Sequence, residues 1–116
     1  MEVLKIMQWG GNGIRVGLDE EAQPASFAVS FDCAHGVIQH PVELDSSGNF
    51  AAPGTYTPEH GGPVRIDEPD LTEPVRYTGQ VKDGQMTLRI VFDKSGKTLG
   101  PYQLRANSQG RIFKCL

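Results

Sequence analysis

Turn-forming residues recur along this chain at intervals of roughly ten residues, and apolar residues alternate with polar residues between them. These turn signals lie at 10–13, 19–24, 34–36, 45–49, 57–74, 83–84, 93–96 and 107–110. Each strand of a small sandwich or barrel crosses the domain once and must then turn. The spacing therefore predicts an all-β fold.

Alternation with a period of two assigns one inward face to most of the segments between these turns. The predicted inward residues are Ile14, Val16 and Leu18, then Phe27, Val29, Phe31 and Cys33, then Phe50, Ala52, Gly54 and Tyr56, then Val75, Tyr77, Gly79 and Val81, then Met86, Leu88, Ile90 and Phe92, and finally Tyr102, Leu104 and Ala106. Asp83-Gly84 predicts a type I′ hairpin turn, and Gly96 predicts a left-handed position in the next loop.

Three segments are less regular. A strand from Ile38 to Leu44 is predicted to be an edge strand or to be bulged, because Pro41 cannot donate to a ladder; it places His40 on the apolar face. A final strand is predicted to carry Phe113 and Cys115 in one phase. The segment from Val3 to Trp9 fits either a strand or one helical turn.

The fold predicted from these segments is a small antiparallel barrel of eight or nine strands, either up-and-down or partly open. Consecutive hairpins make a meander, and closure of a meander removes the unpaired edges that promote aggregation. A β-sandwich is the alternative. With 116 residues the chain is expected to form a single domain, spanning 1–116, with a long loop at 57–74.

The charges are few in total but unevenly distributed. The net charge is −3, which argues against nucleic acid as a partner. Residues 57–74 contain five acidic side chains against Arg65, whereas five basic side chains and no acidic one follow Asp93. No stretch is apolar enough to span a membrane, and a soluble protein is expected. A native Met1 predicts a cytoplasmic protein; removal of a signal peptide would place the protein in the periplasm, the envelope or the medium.

Several short pieces of the sequence resemble a group of small, uncharacterised bacterial proteins that are thought to be exported or associated with the envelope. These pieces are Trp9-Gly10-Gly11, the run from Phe31 to Gly36, Gly48-Asn49-Phe50 with Gly54-Thr55-Tyr56, Gly61-Gly62-Pro63, Met86-Thr87-Leu88 and Lys114-Cys115-Leu116. The resemblance implies a bacterial protein outside the cytoplasm. It implies no particular chemistry.

The two cysteines, Cys33 and Cys115, are candidates for a disulfide bridge. A bridge between them would fix the C-terminal end to the body of the domain and would close a loop of roughly eighty residues, which is worth about 4 to 5 kcal/mol on the chain-entropy model. The alternative is a pair of buried free thiols, as in a cytosolic protein.

Metal binding and catalysis are less favoured by the sequence. Cys33, His35, His40 and His60 are possible zinc ligands, but their spacing lacks the paired elements of known sites, and no metal site is predicted. Cys33, Ser46 or Ser47 could pair with His35 or His60 as a nucleophile and its base. No nucleophile elbow or phosphate-binding loop is present, so no catalytic residue and no cofactor is predicted.

The long loop at 57–74 is the strongest functional candidate, because long loops in compact domains are often binding loops. The predicted binding residues are His60, Arg65, Asp67, Glu68 and Asp70. The alternative is a loop that only packs over one end of the barrel.

These observations together predict a non-enzymatic binding or structural module of the bacterial envelope or exterior. The expected partner is a protein or a small ligand, with no nucleic acid and no membrane span. A small protein inhibitor of a hydrolase is the first alternative, and a small metalloprotein or hydrolase is the second.

Overall fold

Eight antiparallel strands close into a barrel in the computed structural model, which describes residues 2–22, 25–39, 41–59 and 71–113. The barrel strands are β2 (Gln8–Gly11), β3 (Ile14–Asp19), β4 (Ser26–Phe31), β5 (Ala34–Gln39), β7 (Asn49–Pro58), β8 (Glu73–Lys82), β9 (Gln85–Phe92) and β10 (Thr98–Ala106). Two short strands, β1 (Glu2–Val3) and β6 (Glu43–Leu44), pair with each other outside it. The predicted small antiparallel barrel is confirmed.

Each barrel strand pairs with the next barrel strand along the chain, and β10 closes the ring by pairing with β2. The upper end of the barrel carries the turns Asn12–Gly13, Asp32–Cys33 and Asp93–Gly96. The lower end carries the turns Asp45–Gly48 and Asp83–Gly84. Positive φ angles at Asp83 and Gly84 agree with the predicted type I′ turn.

The inward faces of the barrel strands meet in one apolar core. Its largest fully buried side chains include Trp9, Tyr77 and Phe27, each with no exposed surface. Glycines on the inward faces make room for the rings: a Cβ added at Gly54 would lie 2.8 Å from the ring of Tyr77, and one added at Gly79 would lie 3.0 Å from that of Phe50. The aromatic rings thus occupy space inside the barrel that the neighbouring glycines leave free.

Residues before β2 and around β6 cover the lower end of the barrel. Leu4 and Val42 are buried there, and the Leu4 N–H donates to the Val42 carbonyl at 2.8 Å. The indole N–H of Trp9 donates to the Ile6 carbonyl at 3.1 Å, which satisfies the polar atom of a ring that is otherwise in the core. This end of the barrel is closed by packing.

The irregular segments differ from expectation in two places. The single strand expected from Ile38 to Leu44 is wrong, because β5 ends at Gln39 and β6 is a separate strand; His40 lies outside the described residues. Pro41 follows the break, where a missing N–H disturbs no ladder. The segment from Val3 to Trp9 is neither one strand nor a helical turn, since residues 4–7 are irregular between β1 and β2.

The described part of the expected final strand is also wrong. Residues 107–113 hold only an isolated bridge at Arg111, and Phe113 is 64% exposed rather than inward. This segment instead runs against β2, where Gly10 and Gly110 carry no side chains that would hold the two backbones apart.

Gly54→Ala is expected to lower the free energy of unfolding by about 2 kcal/mol or more, because its Cβ would lie 2.0 Å from the Val37 carbonyl oxygen and against Tyr77. Gly17→Ala is the matched control within a strand, because a Cβ there meets nothing within 4 Å. It should change stability by less than about 1 kcal/mol. Urea denaturation measures the free energy of unfolding of both variants. An equal decrease in the two would contradict the close packing at Gly54.

Above pH 10.0, the free energy of unfolding of Tyr77→Phe is expected to decrease less with rising pH than that of the unmodified protein. Burial, reinforced by Tyr56, raises the pKa of the Tyr77 phenol above its ordinary value of 10.0. The folded state therefore holds this phenol neutral, and the resulting stability is complete below pH 10.0 and lost as the pH rises further. Urea denaturation should show a shallower decline for Tyr77→Phe above that pH.

At neutral pH the same variant should be less stable by about 1 kcal/mol, because the Tyr77 hydroxyl donates to the Thr55 carbonyl at 2.7 Å. If the free energy of unfolding decreases equally with pH in both proteins, Tyr77 does not cause the loss of stability at high pH.

Candidate functional site

A row of polar side chains crosses the outside of three neighbouring strands near the upper end of the barrel. Arg15 on β3 is the register partner of Ser30 on β4, and Ser30 is the partner of His35 on β5. Directly opposed residues in antiparallel strands have their Cβ atoms about 4.5–5.5 Å apart on the same face. The pairing register therefore brings a guanidinium, a hydroxyl and an imidazole together.

Glu59 joins this row from the segment that follows β7. Its N–H donates to the Cys33 carbonyl at 2.8 Å, which holds the segment beside the β4–β5 turn. Its Oε2 lies 3.1 Å from Nδ1 of His35, and the two side chains are 43% and 56% exposed. The contact orients the imidazole, while exposure to water limits its contribution to stability.

The C-terminal residues 107–113, which we call the strap, run back along the outside of β2. Asn12 and Arg111 form a parallel bridge, the Arg111 N–H donates to the Gly11 carbonyl at 3.0 Å, and the Gly13 N–H donates to the Arg111 carbonyl at 2.8 Å. A Cβ at Gly10 would lie 2.3 Å from the backbone nitrogen of Gly110. Glycine at position 10 therefore lets the strap pack directly on the barrel wall.

The strap ends at the polar row. Nε of Arg15 donates to the Gln109 carbonyl at 2.6 Å, and the Phe113 N–H donates to Oδ1 of Asp32 at 2.9 Å. The Gln109 carbonyl on the strap and the Asp32 carboxylate in the β4–β5 turn are the two acceptors. These bonds anchor the last described residues to the upper end of the barrel.

These elements enclose a cavity of about 320 Å³, which we call the rim cavity. Its lining residues are Arg15, Ser30, Phe31, Asp32, His35, Glu59 and Ile112. The lining includes one guanidinium, one imidazole and two carboxylates. The arrangement offers hydrogen-bond donors and acceptors to a small polar ligand.

An aromatic cluster lies below the rim cavity and closes the upper end of the barrel. The ring of Phe31 is 5.3 Å from that of Tyr56 and 5.7 Å from that of Tyr102, and Tyr56 is 5.1 Å from Phe92 in an edge-on contact. Burial raises the pKa of both tyrosines, with a smaller contribution from Tyr102 at Tyr56 and from Asp32 at Tyr102. The cavity is therefore separated from the core by packed rings.

The predicted binding residues of the long loop, His60, Arg65, Asp67, Glu68 and Asp70, all lie outside the described residues. The predicted bounds of that loop, 57–74, are too wide. Thr57 and Pro58 belong to β7 and Glu73 and Pro74 to β8, because the two strands pair as far as Tyr56 with Glu73 and the hydroxyls of Thr57 and Thr72 are 2.7 Å apart.

Cys33 is exposed in the turn between β4 and β5 and is not a free thiol. Its predicted inward position is wrong, because β4 ends at Phe31 and the turn interrupts the alternation. Cys115 lies outside the described residues.

The structure separates the other candidates for chemistry. Ser46 and Ser47 lie in the Asp45–Gly48 turn at the lower end, far from His35 at the upper end. Asp45 caps that turn by accepting the N–H groups of Asn49 and Ser47, which lowers the pKa of its carboxyl. His40 and His60 are not among the described residues, within which no three His, Cys, Asp or Glu side chains are grouped closely enough to hold a metal.

Sequence reasoning missed Arg15, Ser30 and Glu59 as site residues. Alternation places Arg15 and Ser30 on the outward face, but only the pairing register shows that they are neighbours of His35.

Comparisons with protein-family models, with curated proteins and with solved structures find no match to this chain. In the part of the chain that the structure describes, no helix has the length and the apolar character needed to cross a bilayer.

Proposed function

We propose that this chain is a non-enzymatic binding module whose ligand occupies the rim cavity. The observation that carries the proposal is the division of the molecule into a barrel interior packed with apolar side chains and a polar cavity outside it. The cavity volume of about 320 Å³ is at the lower end of the range for small-molecule sites.

Arg15 favours a ligand with an acidic group, and the lining carboxylates of Asp32 and Glu59 favour hydrogen-bond donors beside that group. Nε of Arg15 is bonded to the Gln109 carbonyl, which fixes the plane of the guanidinium and leaves its terminal N–H groups for another acceptor. Ser30 and His35 add donors along the same row. A carboxylate accepts two parallel bonds from a guanidinium, so the ligand is a small molecule or a chain end that carries a carboxylate.

The loop predicted from the sequence extends this proposal to a peptide or protein partner. Residues 60–70 follow Glu59 in the chain, and His60, Arg65, Asp67, Glu68 and Asp70 remain the contacts proposed for such a partner. The resemblance to exported bacterial proteins favours a setting in the bacterial envelope or outside the cell.

The carboxylate site is tested with acetyl-Ala-Ala-Ala, used as the free acid and as the amide, in a titration followed by amide chemical shifts. The free acid should shift the signals of Ser30, Asp32 and His35 and the amide should not. Arg15→Gln should weaken binding at least about tenfold, which corresponds to the loss of one charge-assisted hydrogen bond.

Lys5→Gln is the control, because it removes one positive charge from an exposed side chain at the opposite end of the barrel and should leave the affinity unchanged. Equal binding of acid and amide, or equal losses in the two variants, would refute the carboxylate site. Replacing residues 61–70 by a glycine-serine linker of equal length then measures the contribution of the loop.

We also propose that Cys33 and Cys115 form a disulfide bridge. Two observations support the pairing: Cys33 is not a free thiol, and the Phe113 N–H is 2.9 Å from the carboxylate of Asp32, next to Cys33. The chain therefore reaches the β4–β5 turn two residues before Cys115. Such a bridge would secure the strap on the barrel and favours an oxidising compartment.

Mass spectrometry after alkylation of the denatured protein tests the bridge. We expect no alkyl group without reductant and two after reduction, and a decrease of roughly 4 kcal/mol in the free energy of unfolding on reduction. Uptake of two alkyl groups by the unreduced protein would disprove the bridge.

A further inference from the structure

Most outward positions of β8, β9 and β10 carry basic, amide or hydroxyl side chains, and we call these side chains the arginine face. Its members are Arg76, Thr78, Gln80 and Lys82 on β8, Gln85, Thr87 and Arg89 on β9, and Gln103 and Arg105 on β10. The inward positions of the same strands hold apolar residues such as Leu88 and Leu104. No acidic side chain interrupts this set of basic, amide and hydroxyl groups.

The arginine face reflects the uneven distribution of charged residues along the sequence. Residues 71–113 contain seven Lys or Arg against three Asp or Glu, whereas residues 2–59 contain two against eight. Strand order in a meander follows chain order, so this difference in sequence becomes a difference between two sides of the barrel.

The cations of this face are not neutralised within the described part of the chain. Arg76, Arg89 and Arg105 are exposed, and the one ion pair found among the described residues, His35 with Glu59, lies elsewhere. Like charges on one surface repel each other, and an anionic ligand would relieve that repulsion.

Two grooves are lined in part by residues of the arginine face. The first, about 480 Å³, is lined by residues that include Thr78, Thr87 and Arg89. The second, about 520 Å³, is lined by residues that include Gln103, Arg105 and the strap residue Arg111. The Thr87 hydroxyl, from the lining of the first groove, donates to the Gln103 side-chain oxygen, from the lining of the second, at 3.1 Å. We refer to the two grooves together as the track.

The composition of the track distinguishes between anionic polymers. Guanidinium groups bind carboxylates or sulfates in a bidentate manner, and side-chain amides such as those of Gln85 and Gln103 can form hydrogen bonds with hydroxyl groups. Single-stranded nucleic acid is usually held by aromatic side chains on which its bases stack. No aromatic side chain is among the members of the arginine face.

We propose that the arginine face binds an acidic polysaccharide, with Arg89, Arg105 and Arg111 on its carboxylates or sulfates and the amides on its hydroxyls. This site goes beyond the rim cavity and uses different side chains. The strap separates the two, because Gln109 contacts Arg15 while Ser108, Gly110 and Arg111 line the second groove.

The probe is polygalacturonate, with dextran as its neutral counterpart, in a binding titration at low and at high ionic strength. The protein should bind polygalacturonate at low salt, lose affinity as salt is added, and not bind dextran. The double variant Arg89→Gln with Arg105→Gln should bind at least about tenfold more weakly.

The double variant Lys5→Gln with Lys94→Gln is the matched control, because it removes two positive charges outside the face. It should retain affinity within about twofold, which separates a local site from net charge. Thermal unfolding of both variants verifies that the barrel is intact, and all four positions are exposed.

Failure to bind polygalacturonate at low salt, equal binding of dextran, or equal losses in the two double variants would overturn the proposal. Tighter binding of single-stranded oligodeoxythymidine than of polygalacturonate would also overturn it in favour of nucleic acid. Ser30→Ala changes the lining of the rim cavity and leaves the Arg15 bond to the strap in place, so it should leave polygalacturonate binding unchanged. Failure here and failure of the rim cavity are therefore distinguishable.

Discussion

The pairing of β10 with β2 is the constraint on which the rest of the structure depends. Leu104, Arg105 and Ala106 are the register partners of Gly11, Gly10 and Trp9, and this seam joins the last strand of the meander to the first. Closure leaves no unpaired edge among the barrel strands and turns every inward face toward one core. The seam also creates the wall on which the strap lies.

The core of this barrel is packed with apolar side chains, whereas the candidate binding side chains lie on its outer surface. Rings fill the interior because glycines leave space beside them, as Gly54 does for the ring of Tyr77. The polar hydroxyl of that tyrosine is satisfied by the Thr55 carbonyl. The side chains that could bind a ligand therefore lie on the outer surface. Some are register partners on neighbouring strands, such as Ser30 and His35, and others lie on the same face of one strand.

Much of the fold could be predicted from the sequence, because alternation and turn residues are local signals. The inward phase from Val75 to Val81 and the turn at Asp83-Gly84 are examples. The site could not be predicted in the same way. Neighbours such as Arg15 and Ser30 are set by register between strands, and the exposed position of Cys33 depends on where β4 ends. The charge skew was visible in the sequence, but its placement on one face required the strand order.

Hydrogen exchange of the native protein tests the closed barrel most directly, because closure is a property of the seam alone. The amides shared by β2 and β10, with the Asn107 N–H that donates to the Gln8 carbonyl at 2.8 Å, are the decisive ones. We expect protection within about tenfold of that in the β4–β5 hairpin, since both belong to one cooperative unit. Seam amides that exchange as fast as an unpaired chain, while the hairpins stay protected, would show an open sheet and contradict the closed barrel.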